Sequence, residues 1–133
     1  MKTMNPKPQK PFRLTLGVRG EMMAWAYLAR SGYKIIEKNY RCPLGEIDCI
    51  AAKQGRTAFI EIKTRSDHRF GRPEESVHPR KQKKLVQLAQ WYLKGRQNLE
   101  TKVSFDVLAI TWGKGTEPEF RLIENAFGAD RLF

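Results

Sequence analysis

Apolar residues arrive in two short runs between Pro43 and Arg65, on either side of the polar stretch Lys53-Gln54-Gly55-Arg56. Runs of this length, rich in Ile, Phe and Ala and split by a glycine-containing turn, predict a β-hairpin with a loop of a few residues. Upstream, Val18, Met22, Trp25, Ala26 and Ala29 recur at spacings of three and four. That period predicts a helix over Leu16–Ser31, with Gly32 as its stop. Tyr33–Tyr40, through Ile35 and Ile36, reads as a first strand. Asn39 near its end is either a turn residue or a holder of the loop beside a site. Downstream, Pro79 fits a first helical position, and Leu85, Leu88, Ala89 and Tyr92 form the apolar stripe of a helix reaching about Lys94. Val103–Trp112 is almost continuously apolar, as expected of a strand covered on both faces. A shorter last strand is predicted over Phe120–Ile123, followed by a tail in which Phe127 plugs the core.

The pattern is broken where it matters most. Asp48 sits between Ile47 and Cys49, and Glu61 between Ile60 and Ile62. Acids are rarely placed among buried aliphatics unless they are paired or bind a metal. The strand period of two puts Phe59, Glu61 and Lys63 on one face and Ile60 and Ile62 on the other. Glu61 and Lys63 then stand roughly 7 Å apart along the strand. In a normal hairpin register Asp48 approaches the same spot. Two carboxylates and an ammonium on rigid strands suit a metal-and-base site for phosphodiester hydrolysis.

Size and charge narrow the partners. A chain of 133 residues makes one domain with its own core: residues 14–133, preceded by a flexible basic tail over 1–13. The formal net charge of +11 favours a polyanionic partner, either nucleic acid or an anionic membrane surface. No apolar run approaches the length of a spanning helix, so no membrane is expected. No secretory signal pattern follows the basic N-terminus, so the expected location is the cytoplasm. Cys42 and Cys49 are read as reduced thiols, and the isolated His68 and His78 argue against a structural zinc site.

Charge is also unevenly placed. Between Lys63 and Lys84 lie Lys63, Arg65, Arg69, Arg72, Arg80, Lys81, Lys83 and Lys84, against Asp67, Glu74 and Glu75. Four of these cations fall in the first turns of the second helix, the wrong sign for the positive end of its dipole. A bound phosphate chain would compensate, and Arg65, Arg69, Arg72, Lys81 and Lys84 are expected to line its path. Two further acids admit two readings each. Glu21 suits the start of a helix electrostatically, yet the small Gly17 and Gly20 beside it allow close approach to the sheet. Asp106 either supports the site or pairs with an arginine, and the second reading is preferred.

The order helix, three strands, helix, strand, with Asp48 and Glu61-x-Lys63, resembles the PD-(D/E)xK nuclease superfamily. More narrowly, Gly17-x-x-Gly20-Glu21 with Ala24 and Leu28, Gly32-Tyr33, Asn39 and Gly45-Glu46-Ile47-Asp48 resemble the YraN family of small bacterial proteins. The likeness continues through Phe59-Ile60-Glu61-Ile62-Lys63-Thr64-Arg65, Phe70-Gly71, Lys81, Phe105-Asp106-Val107 and Asn125-Ala126-Phe127. It implies an α/β fold with a restriction-endonuclease-like three-layer core, a mixed sheet flanked by helices in the order αβββαββ, similar to Holliday-junction resolvases. It also implies Asp48, Glu61 and Glu21 as ligands of Mg²⁺ or Mn²⁺ and Lys63 as the residue that positions or activates water. All four are the expected catalytic residues. The function so implied is a divalent-metal-dependent endonuclease acting on DNA, including branched or junction DNA. The alternative is a nucleic-acid-binding module of nuclease fold without catalysis. A homodimer is left open.

Overall fold

The computed structural model describes residues 16–65, 77–98, 100–113 and 117–128. The basic tail expected over 1–13, and Arg69 and Arg72, lie outside the described residues. Helix α1 (Leu16–Arg30) ends where the sequence predicts. Gly32 at φ 97° lets its own N–H bond to the Ala29 carbonyl and the Tyr33 N–H to that of Leu28, a pattern that closes the last turn. Strands β1 (Lys34–Cys42), β2 (Gly45–Lys53) and β3 (Arg56–Arg65) follow as two successive hairpins. The second turns through Gln54 and Gly55, both at positive φ, and pairs Lys53 with Arg56. Such left-handed pairs match the twist of the flanking strands. β1 runs past its predicted end because Arg41 and Cys42 still pair with Glu46 and Gly45.

Helix α2 (Pro79–Gly95) then crosses over to β4 (Lys102–Thr111), which pairs parallel to β3, and β5 (Glu119–Phe127) returns antiparallel. Strand order is β1-β2-β3-β4-β5. The two faces of this mixed sheet carry separate cores. One gathers Ile47, Ile50, Phe59 and Phe105 against Leu88, Tyr92 and Leu93 of α2. The other packs Cys49, Ala51, Ile60, Leu108 and Ile110 against Ala24 and Leu28 of α1. Three layers, helix, sheet and helix, are the result, in the expected order αβββαββ. β4 is apolar throughout because both faces are covered.

β5 is longer than the sequence suggests. Asn125-Ala126-Phe127 belongs to the strand, with Asn125 in the left-handed region at φ 55° and its N–H donated to Asp106 Oδ1 at 3.0 Å. A carboxylate from the neighbouring strand β4 thus holds the segment in the sheet. Phe127 stacks on Phe105 with ring centroids 4.9 Å apart, filling the core edge as expected. Asp106 is fully buried and also accepts the Tyr33 hydroxyl at 2.7 Å, with Arg56 Nη2 3.6 Å away. Its preferred structural reading holds. Arg56 in turn donates to Ser104 Oγ and Glu124 Oε1, and Lys53 joins Glu124 at 2.9 Å.

Candidate functional site

The β2–β3 ladder ends at Cys49↔Ile60, one residue short of the two acids. There the Asp48 carboxylate replaces a backbone acceptor, taking the Ile62 N–H at 2.8 Å. This opens the sheet locally and leaves room beside Asp48 for the Glu61 side chain. Glu61 is buried, on the face covered by α2, as the alternation of β3 requires. One of its oxygens, Oε2, receives Lys63 Nζ at 3.4 Å and Lys81 Nζ at 3.0 Å. Lys81 belongs to the first turn of α2, so the crossover helix brings a cation to the acid that the hairpin presents.

Glu21 reaches the neighbourhood from the other layer. Gly20 lies against Thr64, near the end of β3; a Cβ there would stand 2.8 Å from the Thr64 hydroxyl. Only a residue without a side chain lets α1 press so near β3, which supports the close-approach reading of that glycine. Glu21 is then near enough for its charge to act on Asp48.

Burial pushes the Asp48 carboxyl up to about 6, and the Glu61 charge beside it adds to this. The Ile62 N–H and the Lys81 ammonium pull the other way, and Glu21 adds a smaller upward push. Two carboxylates are thus held together against their mutual repulsion, in a place where a cation is favoured. Hard carboxylate oxygens suit Mg²⁺ or Mn²⁺, which need only one or two such ligands and keep several waters. Among the described residues no three His, Cys, Asp or Glu side chains gather in a group that could hold a metal ion. The candidate donor set is therefore the pair Asp48 and Glu61, with Glu21 as an electrostatic neighbour.

The raised carboxyl has a measurable consequence. Because Asp48 binds its proton more tightly in the folded protein, folding is favoured at acid pH, and this advantage is lost as pH rises from the unfolded value of 3.8 through about 6. Asp48→Asn keeps an acceptor for Ile62 and removes the charge. In EDTA it is expected to be more stable than the parent by on the order of 2–3 kcal/mol at pH 7–8, with the gap closing near pH 4. Urea unfolding across that range measures it; a gap that ignores pH would contradict the assignment.

The mouth of the site is basic. His78 caps α2, its Nδ1 accepting the Arg80 N–H at 3.1 Å, and Pro79 follows in the first turn. His78, Arg80, Lys81 and Lys84 line an open concavity of about 550 Å³. Arg65 closes β3, where its carbonyl accepts the Trp112 N–H at 2.9 Å. Of the expected site residues, the structure brings together Asp48, Glu61, Lys63 and Lys81, with Lys84 at the mouth. The sequence reading set His78 aside because it has no partner at ligand spacing. The signal for its capping role was its place immediately before a proline at a helix start. The Lys81–Glu61 pair was also missed, since the two residues are 20 positions apart and meet only through the crossover.

The sequence profile described as "Uncharacterised protein family UPF0102" matches residues 20–110, from within α1 to within β4. The chain belongs to UPF0102, the YraN family. It is 51% identical to a UPF0102 protein of Moorella thermoacetica over 94 residues, covering 71% of this chain and 78% of that one. A UPF0102 protein of Thermodesulfovibrio yellowstonii is 45% identical over 115 residues, or 86% and 97% of the two chains. One from Syntrophotalea carbinolica is 40% identical over 118 residues, or 89% and 95%. The resemblance read from the motifs is therefore a family membership. Among the described residues of this UPF0102 chain, no helix is long and apolar enough to cross a membrane.

Proposed function

We propose that this UPF0102 protein is a divalent-metal-dependent endonuclease that hydrolyses phosphodiester bonds in DNA, including branched or junction DNA. The observation that carries the reading is the Asp48–Glu61 pair, set where the β2–β3 ladder opens and flanked by Lys63. A purely structural role does not explain the Asp48 carboxylate held beside the Glu61 charge at a cost to stability. Asp48 and Glu61 would hold Mg²⁺ or Mn²⁺, with Glu21 of α1 adding negative charge nearby rather than a third ligand. When bound, such an ion polarises a phosphodiester and lowers the pKa of its water. Lys63 shares the face of Glu61 and donates to Oε2, so its remaining N–H groups are free to orient an attacking water. Glu61 fixes that ammonium, and Asp48 is itself fixed by Ile62. Arg65, Arg69, Arg72, Lys81 and Lys84 form the path for the phosphate backbone.

One observation favours the second reading, a nucleic-acid-binding module without catalysis. The Lys81 ammonium already neutralises Glu61. Incubating the protein with junction, flap, single-stranded and duplex DNA, in Mn²⁺, Mg²⁺ or EDTA, separates the two. Cleavage in Mn²⁺ or Mg²⁺ that EDTA abolishes is the expected result. Binding without cleavage in any metal would establish the silent module.

A further inference from the structure

The solvent-facing side of α2 has a composition that folding alone does not call for. The helix carries Arg80, Lys81, Lys83, Lys84 and Lys94 and no acid. Apart from Lys81, none of these cations forms an ion pair with a described residue. Amid them Trp91 is 45% exposed. The other two indoles are covered by cations, Trp25 by Lys38 at 5.2 Å and Trp112 by Arg19 at 5.1 Å. Trp91 has no ring or cation contact with a described residue. At 100° per residue, Arg80, Lys84 and Gln87 fall within about 40° of Trp91 around the helix. A stripe of cation, cation, amide and indole thus runs along α2 for ~16 Å. Its first turn is the one whose Lys81 touches Glu61.

We infer that this stripe is a binding surface for unpaired nucleic acid, in which Arg80 and Lys84 follow the phosphates and a base stacks on Trp91. The inference rests on the nucleic-acid reading of the site and specifies its partner. Chemistry selects a single strand. In a duplex the faces of the bases are hidden in the stack and only the edges and backbone are offered, so an indole has nothing to stack on. A single strand offers both a phosphate chain and free π-faces. A membrane surface fits less well, because interfacial helices need a continuous apolar face. The apolar face of α2 is already committed to the core through Leu85, Leu88 and Leu93, and Trp91 is its one exposed large hydrophobic residue.

The test uses the full chain in EDTA, so that its outcome does not depend on cleavage. Oligothymidylate and a blunt duplex of equal length are titrated while anisotropy and tryptophan emission are followed. Trp91→Ala is expected to weaken oligothymidylate binding by about ten-fold, the scale of one stacked base, and to change duplex binding less than two-fold. Trp91→Phe should retain most of the affinity and lose most of the emission quenching, which assigns the signal to this indole. Circular dichroism confirms that both variants fold. Equal loss on both DNAs, or no loss on either, overturns the inference. So does a blue shift of Trp91 emission with phosphatidylglycerol vesicles and none with oligothymidylate, which would assign the face to membranes. Lack of cleavage in metal together with intact Trp91-dependent binding would defeat the nuclease reading and leave this one standing.

Discussion

Lys63→Ala is expected to reduce DNA cleavage by about 10²–10⁴-fold, the usual contribution of a positioned proton-handling group, while Mn²⁺ and DNA binding persist. Glu61→Ala should lose cleavage and Mn²⁺ binding together. The difference follows from how three side chains share one oxygen. With Lys63 removed, Glu61 Oε2 keeps its 3.0 Å contact to Lys81, and its charge is still available to an ion. With Glu61 removed, two ammonium groups that had converged on one carboxylate face each other beside the proposed metal site, and both would repel an ion there. The fold should register the same asymmetry. Lys63 and Lys81 are partly exposed, so water screens the loss, and Glu61→Ala is expected to cost about 1–2 kcal/mol, more than Lys63→Ala. Calorimetric titration of Mn²⁺ into both variants decides the matter. Parent-like metal binding by Glu61→Ala removes it as a ligand, and full activity of Lys63→Ala refutes the proposed role of the ammonium.

The largest effect on stability is expected at Asp106. This carboxylate has no exposed surface, accepts from the Tyr33 hydroxyl and the Asn125 N–H, and faces the Arg56 guanidinium at 3.6 Å. Asp106→Ala leaves the buried Tyr33 hydroxyl and the Asn125 N–H without their acceptor and takes one of its carboxylate partners from Arg56, and is expected to destabilise the protein by about 3–5 kcal/mol. Asp106→Asn retains acceptor capacity without charge and should cost about 1–2 kcal/mol. Tyr33 reports on the same contact: burial, then the bond to Asp106, pushes its hydroxyl upward, so it stays protonated throughout the working range. Arg56 begins β3, whereas Glu61 and Lys63 lie toward its other end. Below the unfolding transition, both Asp106 variants should therefore bind DNA like the parent. Urea midpoints and DNA titrations check the two halves of this statement, and a folded Asp106→Asn protein that no longer binds would move Asp106 into the site.

Local physics explains what could be read from the chain. The central hairpin was legible because period-two alternation and a Gln-Gly turn point to one backbone geometry, and the same alternation put Glu61 and Lys63 on a common face. An acid within an aliphatic strand signals chemistry because desolvating it is costly, and that holds before any partner is known. The three layers were implied by the family resemblance, and the continuously apolar Val103–Trp112 agreed with them as a strand covered on both faces. Family membership rested on the same residues, many spaced pieces of which agree.

Contacts between distant segments had to come from the tertiary structure. β5 extends to Phe127 because Asp106 reaches across to Asn125, and a pattern in β5 alone carries no trace of that bond. Asp48 could be placed near Glu61, but only the break in the ladder at Cys49↔Ile60 turns its carboxylate onto Ile62, and only its burial beside Glu61 raises its proton affinity. Lys81 looked like one cation among several in a basic helix turn. The crossover from β3 through α2 to the parallel β4 carries that turn over the sheet and sets Lys81 on Glu61. Trp91 is part of an apolar run in sequence, and its exposure is decided by the rotation of α2 that buries Leu88 and Tyr92. The chain alone determines which residues seek water and which avoid it. Which charges must share the same small volume is decided only when the layers close.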